Sequence, residues 1–264
     1  MTAGFLDIAG ARLEYRRVAP KTAPRAGSQP AIVLLHEGLG SVSMWRDFPD
    51  RLAEAAGRGV FVYSRAGYGK SSPAPLPRPA RYMHDEGLAT LPRVLDAAGI
   101  GDCVLVGHSD GGSIALIYAG GVRPMRARGV VTLAAHVFNE KLCVDSIAAA
   151  GRAYLETDLR RRLARYHADV DNAFRGWNDV WLSDEFRHWN IEEFLPRVAV
   201  PVLAIQGRDD EYGTERQVDA IVGQVKGGAE KLMLPRCKHS AHRDQPAMTL
   251  EAIARFVRRL YWCA

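Results

Sequence analysis

The amino-acid sequence predicts an α/β protein with a mostly parallel β-sheet that is covered by helices on both faces. Along the 264 residues, short runs rich in valine, isoleucine and leucine alternate with longer segments of helical periodicity. Such runs suit parallel strands, because a covered parallel sheet is buried on both faces. The hydrophobic fraction of 47% and the chain length allow one large domain with a sizeable core.

The strand predictions begin with a hairpin. Phe5–Ile8 and Arg12–Val18 flank the turn Ala9-Gly10-Ala11, and a loop follows from Pro20 to Pro30. The remaining strands are predicted at Ala31–Leu35, Gly59–Tyr63, Cys103–Val106, Val130–Leu133, Pro201–Ile205 and Lys231–Leu234. Helices are predicted at Met44–Ala56, Met83–Ala98 with an interruption at Pro92, Ser109–Ala119, Thr214–Val225 and Gln245–Leu260.

The alternation of strands and helices stops over residues 137–196. This segment has helical periodicity and aromatic residues but no strand candidate. We interpret it as a helical cap inserted into an α/β core formed by residues 1–136 and 197–264. Ligands of open α/β sheets bind at the carboxyl ends of the strands, so we expect the cap to cover a site at that edge.

The most informative motif follows the apolar run Cys103–Val106. Gly107-His108-Ser109-Asp110-Gly111 has the pattern G-x-S-x-G, and it lies between a predicted strand and a predicted helix. This setting is typical of a nucleophile elbow, a strained turn in which glycines leave room beside an exposed serine. The pattern predicts Ser109 as a nucleophile. The alternative is a turn of small residues with a helix-capping serine.

A serine hydroxyl needs an oriented base to react near neutral pH, so a carboxylate and a histidine should follow in later loops. The loop after Pro201–Ile205 offers Asp209 and Asp210, and the loop after Lys231–Leu234 offers His239 and His242. The histidine spacing lacks the i, i+4 pair and the glutamate of a zinc helix, so no metal site is predicted.

The serine, acid and histidine motifs, in this order, resemble the α/β-hydrolase superfamily over nearly the full chain. In that family the acid commonly stands three residues after the loop glycine, which implies Asp210 in place of Asp209. A proline usually follows the histidine by seven residues, which implies His239 in place of His242. The resemblance implies that Ser109 attacks, His239 relays its proton, and Asp210 orients the imidazole.

An oxyanion hole requires backbone N–H groups that already point at the developing negative charge. One donor is expected to be the amide of Asp110, directly after the nucleophile. The loop His36-Glu37-Gly38-Leu39-Gly40 resembles the family's His-Gly-x loop and implies Gly38 as the second donor, with Glu37 as the rival.

The sequence departs from the family pattern at two carboxylates. Glu37 stands where many relatives have glycine, and Asp110 stands where others have methionine, leucine or glutamine. Both would oppose an oxyanion unless they point away or are paired, for instance with Arg65. In valacyclovirase-like hydrolases an aspartate in Ser-Asp-Gly-Gly engages a substrate amino group. Asp110, together with Glu37, is therefore expected either to recognise a cationic group or to hold a structural hydrogen bond.

Several further residues are candidates for substrate binding, because they lie in the cap or in loops at the carboxyl edge of the sheet. For the aromatic side chains the alternative is packing between cap and core, which we expect for at least half of the cap rings. The candidates are Glu37, His136, Phe138, Trp177, Trp181 and Trp189.

The sequence predicts a reaction on a small molecule without a cofactor. The expected reaction is hydrolysis of a small carboxylic ester, thioester or lactone through an acyl-serine. Alternatives on the same scaffold are a carbon–carbon bond hydrolase of aromatic ring cleavage, an enol-lactonase, and weaker haloperoxidase-like perhydrolysis. From another class, a catalytically inactive receptor or scaffold is considered.

No metal or organic cofactor is implied, and no nucleic-acid or membrane partner is expected. The net charge of +5 comes mostly from dispersed arginines, and no apolar run approaches the roughly 20 residues of a membrane helix. The four cysteines lack disulfide or metal spacing, which favours reduced thiols in a cytoplasmic protein. The oligomeric state is open, with a homodimer as one option.

Overall fold

The computed structural model describes residues 2–21 and 31–262, so most of the loop predicted from Pro20 to Pro30 lies outside the described residues. The described chain forms an eight-stranded sheet in the order β1-β2-β4-β3-β5-β6-β7-β8. The antiparallel pairs are β1 with β2 and β2 with β4, and the other neighbours are parallel. The mostly parallel sheet predicted from the sequence is therefore confirmed. The strands are β1 Thr2–Ile8, β2 Ala11–Val18, β3 Ala31–Leu35, β4 Val60–Tyr63, β5 Cys103–His108, β6 Ala127–Leu133, β7 Val202–Gly207 and β8 Ala229–Leu234.

The central strands are apolar on both faces because successive side chains enter two different cores. In β3, Val33 packs into one core and Leu34 into the other. Helices α1 and α10 cover one face, whereas α3, α4 and α8 cover the opposite face. Within the described residues, no helix is both long and apolar enough to cross a membrane. The α-helices outside residues 137–196 are α1 Phe48–Ala56, α2 Tyr82–Asp85, α3 Leu91–Ala97, α4 Asp110–Gly121, α8 Glu215–Gln224, α9 Ala241–Asp244 and α10 Pro246–Trp262.

Two predicted helices are divided in the structure. The segment predicted as Met44–Ala56 contains a 3₁₀ turn at Ser43–Trp45, and α1 begins only at Phe48. The segment predicted as Met83–Ala98 divides into α2, a π-helical turn at Glu86–Thr90, and α3. Pro92 lies in the first turn of α3, where its missing N–H costs no helical hydrogen bond. The irregular part of this helical segment is therefore the π-helical turn that ends just before α3, and not Pro92 itself.

The segment between β6 and β7 is helical. It contains α5 Lys141–Glu156, α6 Leu159–Leu163, α7 Val170–Trp181, and 3₁₀ turns at Glu185–His188 and Glu192–Arg197. The side chain of Asp169 caps α7 by accepting the N–H of Asn172 at 2.9 Å. The rings of Tyr154 and Phe174 stack with centroids 3.7 Å apart, which joins α5 to α7. We refer to residues 137–196 as the cap.

Candidate active site

The nucleophile elbow lies between β5 and α4. Ser109 has φ 51° and ψ −119°, a backbone conformation that non-glycine residues rarely adopt. A Cβ on Gly107 would lie 2.1 Å from the carbonyl oxygen of Gly111, and one on Gly111 would lie 2.1 Å from that of Leu35. Only glycine fits at either position, so the turn can close tightly. The N–H of Ser109 donates to the carbonyl of Leu133 at 2.8 Å, which ties the elbow to the end of β6.

The loops after β7 and β8 bring a carboxylate and an imidazole together. His239 Nδ1 lies 2.9 Å from Asp210 Oδ1. The same carboxylate oxygen accepts the N–H groups of Tyr212 at 2.9 Å and Gly213 at 3.3 Å. Because an ionised carboxylate only accepts, Nδ1 is the donor and Nε2 of His239 is left free to accept a proton.

The two rival residues lie elsewhere. Asp209 is exposed. His242 is buried and packs against the rings of Trp45 and Phe48, with centroids 4.8 Å and 5.5 Å away. The geometry thus pairs Asp210 with His239, in line with the choice implied by the family resemblance.

Ser109 and His239 line the same cavity, which has a volume of about 180 Å³. Among the described residues no hydrogen bond joins the Ser109 hydroxyl to His239, a contact that is often long in ligand-free sites and shortens on substrate binding. The wall is formed by Glu37, Gly38, Leu39, His108, Ser109, His136, Cys143, Ile147, Trp177, Trp181, Glu211, Tyr212, His239 and Ser240.

The titratable groups of the site are shifted in opposite directions. Burial alone would lower the pKa of His239, but the charge and hydrogen bond of Asp210 raise it above its usual value. Burial alone would raise the pKa of Asp210, but the charge and hydrogen bond of His239 and the N–H of Tyr212 lower it. Burial, followed by the charge of His239, lowers the pKa of His136 to about 3, so His136 is neutral near pH 7.

The two expected oxyanion donors are the backbone N–H groups of Gly38, which lines the cavity, and of Asp110, which directly follows Ser109. Asp110 is the first residue of α4, where an N–H has no partner within the helix. Gly38 follows β3 and lies directly under the cap, because a Cβ there would come within 2.2 Å of the Trp177 ring. Neither N–H has a hydrogen-bond acceptor in the described part of the chain.

The Asp110 side chain is fully buried and is not part of the cavity wall. It accepts a hydrogen bond from the Tyr82 hydroxyl at 2.6 Å and lies 3.6 Å from Arg65 Nη2. The Tyr82 oxygen in turn accepts Trp181 Nε1–H at 3.0 Å. The expectation that Asp110 recognises a substrate cation is therefore corrected, because its carboxylate is enclosed and paired with Arg65. Its alternative, a structural hydrogen bond, describes what the structure shows.

Glu37 differs from Asp110 because it does line the cavity. One carboxylate oxygen lies 3.4 Å from His108 Nδ1, and the other lies 3.7 Å from Arg243 Nη2. Burial alone would raise the pKa of Glu37, but the neighbouring His108 and Arg243 hold it well below its usual range. Its backbone carbonyl accepts from Arg65 at 3.1 Å.

The predicted aromatic residues divide into two groups. Trp177, Trp181 and the His136 ring line the cavity. Phe138 and Trp189 lie outside the cavity wall, contrary to the expectation. The guanidinium of Arg216 lies 5.4 Å from the centre of the Phe138 ring. The Trp189 ring stacks on Phe186 with centroids 5.2 Å apart, so it belongs to the packing of the cap.

Sequence reasoning did not single out some of the wall residues. Cys143 and Ile147 are four residues apart on the buried face of α5, a spacing that helical periodicity could have revealed. Glu211 and Tyr212 directly follow the predicted acid, so the loop itself was the available signal. His108 is the variable position of the serine motif, and nothing in that motif indicates its contacts.

Sequence comparison identifies the family to which this fold belongs. A model of the alpha/beta hydrolase family matches residues 32–252, so the chain belongs to that family. A proline iminopeptidase of Levilactobacillus brevis is 35% identical over 257 residues, covering 82% of this chain and 84% of the relative. An sn-1-specific diacylglycerol lipase of Danio rerio is 32% identical over 259 residues, covering 88% and 80%. The alignment with the proline iminopeptidase of Lactobacillus crispatus is 30% identical and spans only 48% of this chain and 42% of that relative.

Solved structures show the same fold. A proline iminopeptidase of Mycobacterium smegmatis aligns with a TM-score of 0.78 at 18% identity and covers 98% of both chains. The enol-lactonase of Burkholderia xenovorans aligns with a TM-score of 0.73 at 19% identity and covers 96% of this chain and 99% of that one. The similar sequences are thus named as proline iminopeptidases and a diacylglycerol lipase, whereas the enol-lactonase shows the shared fold.

Proposed function

We propose that this protein hydrolyses small carboxylic esters, thioesters or lactones through an acyl-serine intermediate. The observation that carries the proposal is the 2.9 Å contact between His239 and Asp210, made at a cavity that also contains the strained Ser109. Acyl transfer requires a nucleophile, an oriented base and nearby N–H donors; Ser109 and His239 line one small cavity, and the N–H groups of Gly38 and Asp110 have no acceptor among the described residues.

The first half of the proposed reaction forms the acyl-serine. His239 Nε2 takes the proton of the Ser109 hydroxyl as its oxygen attacks the substrate carbonyl carbon. The amides of Asp110 and Gly38 donate to the oxygen of the tetrahedral intermediate. The bond to the leaving oxygen or sulfur then breaks, and His239 returns the proton to that atom. Asp210 stays ionised and stabilises the imidazolium.

The second half releases the acid. His239 takes a proton from water, and the water oxygen attacks the acyl carbon. The bond to Ser109 breaks, and the proton passes from His239 to the serine oxygen. One water is consumed; an ester or thioester gives a carboxylic acid and an alcohol or thiol, and a lactone gives a single hydroxy acid.

The cavity wall favours uncharged substrates of modest size. None of the described residues that line it is a lysine or an arginine, whereas Glu37 and Glu211 contribute carboxylates. An anionic substrate would meet like charge without a cationic partner. Trp177, Trp181 and Ile147 supply apolar surface for an acyl or aryl group. His136 lines the cavity, and its Nδ1 has no hydrogen-bond partner within the described part of the chain, which suits a hydrogen bond to the substrate.

A second candidate function is proline iminopeptidase activity. It is favoured by the Levilactobacillus brevis relative and by the two wall carboxylates, which suit a substrate ammonium group. The enol-lactonase of similar fold keeps lactone opening among the tests. An inactive receptor is disfavoured, because the acid–base pair and the elbow are intact.

The proposal is tested by covalent labelling and a substrate panel. A fluorophosphonate probe is expected to label the wild-type chain and not Ser109→Ala. Nitrophenyl esters of increasing acyl length, an enol-lactone, a ring-cleavage dienoate and proline nitroanilide are then compared by kcat/KM. We expect a short neutral ester or lactone to be the best substrate. An unlabelled wild-type chain would contradict the acyl-serine mechanism, and a preference for proline nitroanilide would select the second candidate.

A further inference from the structure

The Glu37 side chain fills a space beside Gly40 in the loop His36-Glu37-Gly38-Leu39-Gly40, which we call the oxyanion loop. A Cβ on Gly40 would lie 2.3 Å from Glu37 Oε2, so the carboxylate occupies the space that a larger residue at position 40 would need. The N–H of Gly40 also donates to the Glu37 carbonyl at 3.1 Å, which closes the turn around Gly38. The carboxylate is thus built into the loop that carries the expected oxyanion donor.

His108 joins that carboxylate to the loop of the base. It is the last residue of β5 and is 1% exposed. Its Nε2 lies 2.9 Å from the His239 carbonyl oxygen, and its Nδ1 faces Glu37 at 3.4 Å. A carbonyl can only accept, so Nε2 is the donor and Nδ1 is the atom that meets the carboxylate. Within the described residues Nδ1 makes no hydrogen bond, so its link to Glu37 is a close polar contact.

Arg243 approaches the same carboxylate from α9, which follows the His239 loop. Its Nη2 lies 3.7 Å from Glu37 Oε1 and donates to the carbonyl of Met44 at 3.1 Å. Three loops therefore meet at one carboxylate: the oxyanion loop, the nucleophile elbow and the histidine loop. All three need fixed relative positions if the attack geometry is to be reproduced.

We infer that Glu37 is a positioning residue that, through His108 and Arg243, holds the oxyanion loop and the His239 loop in register with Ser109. The inference rests on the acyl-serine reaction proposed above. It differs from the substrate-binding role expected from the sequence, because Glu37 would act on every substrate alike. The guanidinium of Arg243 also offsets the negative charge that Glu37 would otherwise place beside the oxyanion.

The pH profile provides a readout that a purely structural role would not change. His239 must be neutral to accept the serine proton, and the charge of Glu37 is one of the influences that raise its pKa. Loss of that charge is therefore expected to move the acid limb of kcat/KM to lower pH. The titratable and charged groups around His239 are Asp210, Glu211, Tyr212, Glu37, His108, His136, His242 and Arg243.

The experiment compares Glu37→Gln, His108→Gln and the double variant with wild type. Ethyl thiobutyrate and butyrylthiocholine serve as substrates, because they share one acyl group and differ in the charge of the leaving group. Glu37→Gln is expected to lower kcat by about tenfold to a hundredfold, by the same factor on both substrates, with little change in KM. The double variant is expected to lose no more than the poorer single variant, because both changes break one connection. Glu251→Gln, an exposed carboxylate on α10, is the matched control and should behave as wild type.

The results that would contradict this inference differ from the results that would contradict the proposed function. A rise in KM confined to butyrylthiocholine would assign Glu37 to substrate binding, and unchanged kinetics would remove its role entirely; either result overturns the inference. If thermal denaturation shows that Glu37→Gln is not folded, Glu37→Asp replaces it, because aspartate keeps the charge and has a shorter side chain. A wild-type kcat in Glu37→Asp would overturn the inference. A wild-type chain that neither turns over an ester nor reacts with the fluorophosphonate would instead contradict the proposed function.

Discussion

The floor and the roof of the cavity are built in different ways. The floor consists of Gly38, Ser109 and His239, which line the cavity, together with Asp210, which contacts His239; each lies just beyond the carboxyl end of a strand. The roof consists of cap side chains, namely Cys143, Ile147, Trp177 and Trp181. The sheet register fixes the floor through backbone hydrogen bonds, whereas the roof depends on how helices pack. Changes in the floor should therefore affect the chemical step, and changes in the roof should affect which substrate is accepted.

The largest effect is expected from Asp210→Asn. Loss of the carboxylate removes the group that holds the His239 tautomer, so kcat/KM should fall by about 10³- to 10⁴-fold. Steady-state kinetics on the best ester, with thermal denaturation to verify folding, provides the measurement. Asp209→Asn is the matched control and should stay within about twofold of wild type, because Asp209 is exposed. Equal losses in the two variants would mean that the wrong aspartate has been chosen.

Asp210→Asn should also change the pH dependence of activity. In wild type, activity should fall as pH drops through the raised pKa of His239, so the midpoint of the acid limb lies above the ordinary value of about 6.5. In Asp210→Asn burial is no longer opposed by the carboxylate, and the residual activity should keep its plateau to lower pH. If the acid limb does not move, the group that titrates in this limb is not influenced by Asp210.

Gly38→Ala tests whether Trp177 in the roof restricts the position of Gly38 in the floor. The new methyl group would meet the Trp177 ring at 2.2 Å, so either the tryptophan or the oxyanion loop must shift. Displacement of the Gly38 amide should lower kcat by about tenfold to a hundredfold. Gly223→Ala is the control, because a Cβ there meets nothing within 4 Å. Trp177→Ala in the Gly38→Ala background should restore part of kcat, and a failure to do so would show that the loop is displaced for another reason.

Sequence patterns predicted the floor better than the roof, for a physical reason. Ser109, Asp210 and His239 follow apolar strands at motif spacing, so their meeting is a consequence of parallel strands ending at one edge. Trp181 and Trp189 are equally aromatic and both are buried, yet only Trp181 reaches the cavity. Periodicity places a residue on a helix face but does not say which neighbour that face meets. The enclosure of Asp110 by Arg65 and Tyr82 likewise joins segments that no local pattern connects.

The two tryptophans provide the finest test of the comparison. Trp181→Phe keeps a ring in the roof but removes the hydrogen bond from Nε1 to the Tyr82 hydroxyl, so unfolding should become easier by about 1 kcal/mol. Because the ring also lines the cavity, KM should change by a few-fold in a way that depends on acyl length, while kcat stays within about twofold. In Trp189→Phe the lost Nε1 has no hydrogen-bond partner among the residues that the structure describes, and the ring stacks on Phe186 outside the cavity wall. The dependence of KM on acyl length should therefore match that of wild type. Urea denaturation and an acyl-length series measure both effects. If the two variants shift the acyl preference equally, the roof is not defined by direct contact, and cap packing as a whole sets substrate choice.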